Sequence, residues 1–163
     1  MAVADLNAEQ LRSLVTYNPE TGLFLWVTAG RGRQMNRPAG GPTIYGYWQI
    51  RLLGRTYRAN RLAWLYMTGN WPTHFVDHIN GIKDDDRWNN LRDVPQTINA
   101  QNRRSASTKS STGVFGAQKT KEGYRAKIVV NGLIVSLGTY RTPEEAHAVY
   151  LAAKRQHHPG CTI

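Results

Sequence analysis

The chain has 163 residues, enough for one domain or two small ones, and its 21 Lys and Arg against 11 Asp and Glu leave a net charge of +10, an excess that favours a polyanionic partner such as nucleic acid. A single cysteine, Cys161, excludes an internal disulfide and a multi-cysteine zinc site. No run approaches the roughly twenty apolar residues of a membrane span, and the N-terminal stretch containing Asp5 and Glu9 lacks a signal-peptide layout; a soluble, cytoplasmic protein with no membrane partner is expected.

In chain order, residues 7–16 predict a short helix, with Asn7 as N-cap, Gln10 closing a capping box, and Leu11, Leu14 and Val15 on one face. Residues 17–22 predict a turn and 23–27 a strand. Residues 28–43 hold four glycines, two prolines and Arg31, Arg33 and Arg37; they read either as a solvated loop or as a phosphate-tracking one. Residues 46–52 and 55–60 alternate polar and apolar side chains about Leu53-Gly54 and predict a basic hairpin. Residues 61–69 predict a helix stopped by Gly69, with Trp64 and Met67 in the core.

A strand ending at Asp77-His78, a loop containing residues 84–90, a short strand over 91–94 and a helix from Pro95 follow. In that helix Asn99, Asn102 and Arg103 recur at i, i+3 and i+4 and share a face. Polar residues 105–112 read as a linker. Beyond it, residues 124–130 alternate, with Tyr124, Ala126, Ile128 and Val130 on one face and Arg125, Lys127 and Val129 on the other. Asn131-Gly132 signals a hairpin turn, and Thr142-Pro143 with Glu145 opens a helix whose buried stripe is Ala146, Val149, Tyr150 and Ala153. His157, His158 and Cys161 read as a frayed tail, and His74 and His147 as surface or packing residues.

The stretch 76–104 concentrates the chemistry that phosphodiester hydrolysis needs. It has a carboxylate for a hard cation, an imidazole for a water's proton, and amides to complete and fix the geometry. Asn90 stands twelve residues after His78, and Asn99 nine further on. Asp84, Asp85 and Asp86 read as an exposed acidic turn whose members cap the following segment, in preference to a second cation site.

With Asp77-His78, Asn80-Gly81 and Asn90-Leu91-Arg92, this stretch resembles the HNH endonuclease family, specifically its branch common in phages. The resemblance implies a ββα-metal fold, with His78 as general base, Asp77 and Asn99 as metal ligands, and Asn90 holding the loop and the histidine's orientation. Oxygen-only ligation favours one Mg²⁺ or Mn²⁺ over Zn²⁺. Three positions depart from the family: Asn99 where many members carry histidine, Asp86 where many carry asparagine, and Asn60 where many carry histidine. Arg87, Asn102, Arg103 and Arg104 are the expected DNA contacts of this region.

Residues 112–158 resemble the AP2 DNA-binding domain through Thr112-Gly113-Val114-Phe115-Gly116, Tyr124-Arg125-Ala126-Lys127-Ile128, Leu137-Gly138-Thr139-Tyr140, Glu144-Glu145-Ala146 and Ala152-Ala153. That resemblance implies a three-stranded antiparallel sheet against one helix, with the sheet laid in the major groove. Lys119, Lys121, Arg125 and Lys127 are the expected DNA contacts. Phe115, Gln118, Thr120 and Ser136 stand where plant members carry their base-reading residues, so the target site does not carry over.

The expected protein is thus α+β, with an HNH nuclease domain and scaffold over 1–104, a linker over 105–112 and an AP2-like module over 113–163. Its expected activity is metal-dependent DNA hydrolysis, and the resemblances imply a phage-encoded enzyme of the homing type in an infected bacterial host. The rival readings are a DNA-binding protein without catalysis and an RNA-directed protein.

Overall fold

Helix α1 (Ala8–Leu14) begins where the sequence supplies its cap: Asn7 Oδ1 accepts from the Gln10 amide at 2.8 Å and Gln10 Oε1 accepts from the Asn7 amide at 3.2 Å. The computed structural model describes residues 6–163, so Asp5 lies outside the described residues. The chain divides into two units, one ending at Pro95 and one running Gln96–Ile163.

In the first unit, helix α1 stops earlier than its apolar spacing suggests. Val15 and Thr16 are β-branched and find a partner strand, so β1 (Val15–Tyr17) pairs antiparallel with β2 (Phe24–Trp26), and Tyr17 lies in a strand rather than a turn. Strands β3 (Gly41–Pro42), β4 (Trp48–Leu52) and β5 (Arg55–Arg58) form an antiparallel sheet. Leu53 and Gly54, at φ 49° and 81°, make the tight turn between β4 and β5. Helix α2 (Ala59–Thr68) takes in Asn60, which the alternating pattern assigns to the preceding strand, and ends at left-handed Gly69. Met67 is exposed rather than core, whereas Trp64 packs against the core and against Trp88, with ring centroids 5.1 Å apart.

Strands β6 (Phe75–His78) and β7 (Leu91–Val94) form an antiparallel pair, with a one-turn helix over Trp88–Asn90 between them. The core of this unit joins Leu11, Val15, Phe24, Ile50, Leu62 and Leu65 with their neighbours. That apolar cluster anchors the floor on which β6 and β7 stand: Val76 and Leu91 belong to it, while the next residue on each strand belongs to the site.

The second unit contains helix α3 (Gln96–Gln101), strands β8 (Ala117–Thr120), β9 (Gly123–Val130) and β10 (Leu133–Tyr140), and helix α4 (Pro143–His157). The three strands form an antiparallel sheet in the order β10-β9-β8, and α4 packs on it through Ala146 against Ala117 and Ala126, flanked by Tyr124, Leu137, Tyr140 and Tyr150. Thr142 and Glu145 form the expected capping box. Residues 158–163 are not frayed. Gly160 donates to Gln101 Oε1 at 3.0 Å, Thr162 Oγ1 donates to Asn102 Oδ1 at 2.5 Å, and Arg104 reaches the Thr162 hydroxyl at 2.7 Å. These bonds fasten residues 101–104 to the end of the chain, within the compact unit that begins at Gln96.

Candidate active site

At the C-terminal end of β6 the pleat turns successive side chains to opposite faces, and Asp77 and His78 acquire different partners. Asp77 stands directly across from Arg92 on β7. Its Oδ2 accepts from Arg92 Nε at 3.0 Å and Nη2 at 2.8 Å, a charge-assisted fork that fixes the carboxylate. His78 Nε2 lies 2.9 Å from Asp86 Oδ1, and both residues are almost wholly buried, at 4% and 3% exposure. The expectation of an exposed turn therefore fails at Asp86. Of the three consecutive aspartates only Asp84 is exposed, Asp85 is half-buried, and Asp86 turns inward to the imidazole.

Asp86 is held there by an element far away in sequence. Tyr17 donates its hydroxyl to the Asp86 carbonyl at 2.7 Å, and the Trp88 amide donates to the Pro19 carbonyl at 2.9 Å. Gly22, at φ +75°, sits so close that a Cβ there would lie 2.6 Å from the Asp86 carbonyl carbon. The turn over 18–22 is thus a seat for the loop that carries Asp86. Burial pushes the Asp86 carboxyl up from its ordinary range, with the hydrogen bond and charge of His78 pulling the other way and Asp84 and Asp85 adding to the rise. Burial also raises the Tyr17 phenol, helped by Asp86 and Asp85.

When Asp86 is ionised it can only accept, so His78 Nε2 carries the proton of their hydrogen bond; in the neutral ring the lone pair is then on Nδ1. The Tyr47 ring stands beside His78 with centroids 6.1 Å apart.

Asn90 staples the loop between the strands. Its Oδ1 accepts from the Asn80 amide at 2.9 Å, its Nδ2 donates to the Asp85 carbonyl at 2.7 Å, and its carbonyl accepts from the Ile79 amide at 2.8 Å. Arg87 is committed within the loop: Nε and Nη2 each lie 2.6 Å from an oxygen of Asp85, and this fork holds the Asp85 carboxyl below its ordinary range. Asn60, buried at 3% exposure, donates to the Val76 carbonyl at 2.9 Å and so ties α2 to β6 one residue before Asp77.

The remaining expected residues belong to the second unit. Asn99 lies on α3. Asn102 and Arg103 lie beyond its end, where the Asn102 amide bonds back to the Asn99 carbonyl and the turn tightens, so the three do not form one helical face. Asn102 is 5% exposed and bonded to Thr162, which removes it from the surface. The Arg103 carbonyl accepts from Lys154 Nζ, and Arg104 bonds Thr162.

On the sheet, Arg125 and Lys127 are exposed while Ala126 and Ile128 are buried between them. Lys119 stands opposite Tyr124 and so falls on the parity of the packed face, not with Arg125; Lys121 sits in the β8–β9 turn. Among the described residues no group of three or more His, Cys, Asp or Glu is arranged to hold a metal, and no helix is long and apolar enough to cross a membrane.

Sequence reasoning missed the inward turn of Asp86, although its replacement of the family's usual asparagine is a visible signal. It also missed Arg92 as the partner of Asp77, which the strand register would suggest, and Tyr47, for which no local signal exists.

Residues 57–101 match the family described as HNH endonuclease, a span that runs from β5 through α3 and includes Asp77, His78, Asp86, Asn90 and Asn99. No curated protein and no solved structure matches the chain. The match supports an HNH nuclease domain in that span and points to nuclease or DNA-binding activity.

Proposed function

We propose that the chain is a metal-dependent DNA endonuclease that hydrolyses phosphodiester bonds. The observation that carries this reading is the juxtaposition on β6 of a buried His78–Asp86 pair with an Arg92-fixed Asp77, inside the span that matches HNH endonucleases. Asp77 and Asn99 are the proposed metal ligands; the part of Asn99 follows from the resemblance alone. A carboxylate and an amide offer hard oxygen donors, which fit Mg²⁺ or Mn²⁺. Such a cation supplies charge compensation for the phosphoryl and leaving oxygens.

The protein's own groups do the rest. His78 takes a proton from the attacking water at its lone-pair nitrogen while the water oxygen bonds to phosphorus, the P–O3′ bond breaks, and the 3′ oxygen leaves with a solvent proton. A 5′ phosphate and a 3′ hydroxyl result. Asp86 holds the imidazole, Arg92 holds Asp77, and Asn90 keeps the intervening loop closed. The second unit is proposed as an AP2-like module that meets DNA with Arg125 and Lys127, a reading supported by their exposure on the face away from α4. The phage-type and homing assignments rest on the sequence resemblance.

The alternative is a DNA-binding protein without catalysis, which the near-complete burial of His78 favours. Conversion of supercoiled plasmid by wild type and His78→Ala, each with Mg²⁺, Mn²⁺ or EDTA, separates the two. The nuclease reading requires metal-dependent nicking or linearisation that His78→Ala abolishes. Retardation of an intact plasmid in both metals would favour the alternative.

A further inference from the structure

Between Glu20 and Asp77 the chain has seven arginines and no aspartate, glutamate or lysine. The fold does not scatter them evenly. Ile50 and Leu52 are fully buried, so Gln49 and Arg51 point away from the core. The register sets Arg58 opposite Gln49 and Thr56 opposite Arg51. Arg51 also lines a cleft of about 370 Å³ together with Arg31, Arg33 and Trp26, floored in part by Gly40 and Gly54. The Arg33 guanidinium is laid over the Trp26 ring at 4.5 Å, which orders it in the cleft wall. At the other end of the same sheet face, Arg58 lies over the Tyr47 ring at 4.2 Å and Lys83 Nζ lies 5.3 Å from that ring. Tyr47 in turn stands against His78.

We infer that the outer face of the β3-β4-β5 sheet, with Arg31 and Arg33 of the preceding loop, is a track for the phosphate backbone of duplex DNA that runs from the Trp26 cleft to His78. Guanidinium groups bind phosphate in a bidentate fork and stack on aromatic rings, and the stretch that builds the face, between Glu20 and Asp77, contributes arginines and no carboxylate. Arg31, Arg33 and Arg51 position the strand away from the reacting bond, and Arg58 with Lys83 receives it beside the imidazole. The identity of the polymer rests on the nuclease reading; the track itself does not require cleavage.

The test is the salt dependence of duplex-oligonucleotide binding, measured by fluorescence anisotropy in EDTA for wild type, the triple variant Arg31→Gln/Arg33→Gln/Arg51→Gln, and Arg141→Gln as a charge control. Removing one cation from a phosphate lowers the slope of log K against log salt by about 0.9, so the triple variant is expected to lose roughly 2 to 3 units of slope and Arg141→Gln none. Arg51→Gln alone, which leaves the Arg33–Trp26 stack intact, is expected to lose about 0.9 and serves if the triple variant fails to fold.

A folded triple or single variant with the wild-type slope overturns the inference, and if wild type still cleaves plasmid the nuclease reading survives that result. The predicted loss of slope in a protein that cleaves nothing would uphold the track and remove the nuclease.

Discussion

Asp86→Ala tests the site most directly, because it removes the carboxylate from a buried imidazole without touching the proposed base. The His78–Asp86 contact is 2.9 Å long and both side chains are about 5% exposed or less, so no bulk water replaces the missing oxygen. A buried polar group deprived of its partner costs about 1–3 kcal/mol. Relief of the carboxylate's own desolvation, the same effect that pushes its pKa up, offsets part of this. Net destabilisation of about 1–2 kcal/mol, the lower part of that range, is therefore expected, readable as a lower thermal midpoint. The kinetic effect should be larger. A positioned general base contributes ~10²–10⁴-fold in rate, and Asp86→Ala removes the carboxylate that fixes the Nε2 side of the imidazole. Rates of plasmid nicking at saturating DNA should fall within that range, with KM little changed. Asp86→Asn keeps an acceptor oxygen at the same place and should lie much nearer wild type than alanine does. A folded Asp86→Ala protein with wild-type kcat would refute the assignment of Asp86 as the residue that positions His78.

The pH dependence of stability carries a definite sign. The folded-state pKa of Asp86 lies above its ordinary 3.8, so its contribution is complete below that value and is lost as pH rises through the folded pKa. The stability of wild type relative to Asp86→Asn should therefore decline across that window and level off above it; urea titrations at stepped pH would expose a slope of opposite sign. Gly22→Ala forces a left-handed residue to carry a Cβ, at about 1–2 kcal/mol, and drives that carbon to within 2.6 Å of the Asp86 backbone. Thermal stability and nicking rate should fall together, and a loss of stability with an unchanged rate would show that the 18–22 turn does not seat Asp86. Thr142→Ala deletes the α4 cap and should cost about 1 kcal/mol, registered by amide exchange in α4 while amides of β6 and β7 stay protected as before.

How much of this is legible in the sequence depends on the reach of each interaction. The capping boxes at Asn7/Gln10 and Thr142/Glu145 close within four residues, and the tight turns at Leu53-Gly54 and Asn131-Gly132 are signalled by Gly54, Asn131 and Gly132, which accept positive φ; both kinds are readable locally. Val15 follows a helical pattern in the sequence, yet its strand exists only through pairing with Trp26, eleven residues on. The tail has no ordering signal of its own, because Gly160 and Thr162 are held by Gln101 and Asn102, about sixty positions away. Within the site, residue types and spacing point to Asp77, His78 and Asn90. The burial of Asp86 does not follow, since it is imposed by Tyr17, 69 residues earlier, and by the seat at Gly22. Polar spacing reports what chemistry a segment can do, whereas the environment that tunes it comes from elements the segment never mentions.

Averaged charge conceals a similar point. Residues 1–102 carry a small net excess of basic groups, which makes residues 103–163 look like the electropositive part. The first stretch in fact contains an acid-free arginine segment followed by five aspartates between positions 77 and 93. A polyanion drawn to the first would be repelled by the second if those carboxylates stood bare. Four of them do not. Asp77 is forked by Arg92, Asp85 by Arg87, Asp86 faces His78, and Asp93 accepts the amides of Thr73 and His74 at 2.8 Å each. Arginines thus compensate two of these charges, hydrogen bonds engage two more, and Asp84 is left as the exposed exception. The field of the arginines on the neighbouring sheet is not cancelled in this way: among the described residues, no salt bridge involves Arg31, Arg33, Arg51 or Arg58. A site rich in carboxylates can therefore lie at the end of a phosphate track, because two of its charges are compensated by arginines and two more are held in hydrogen bonds before the polymer arrives.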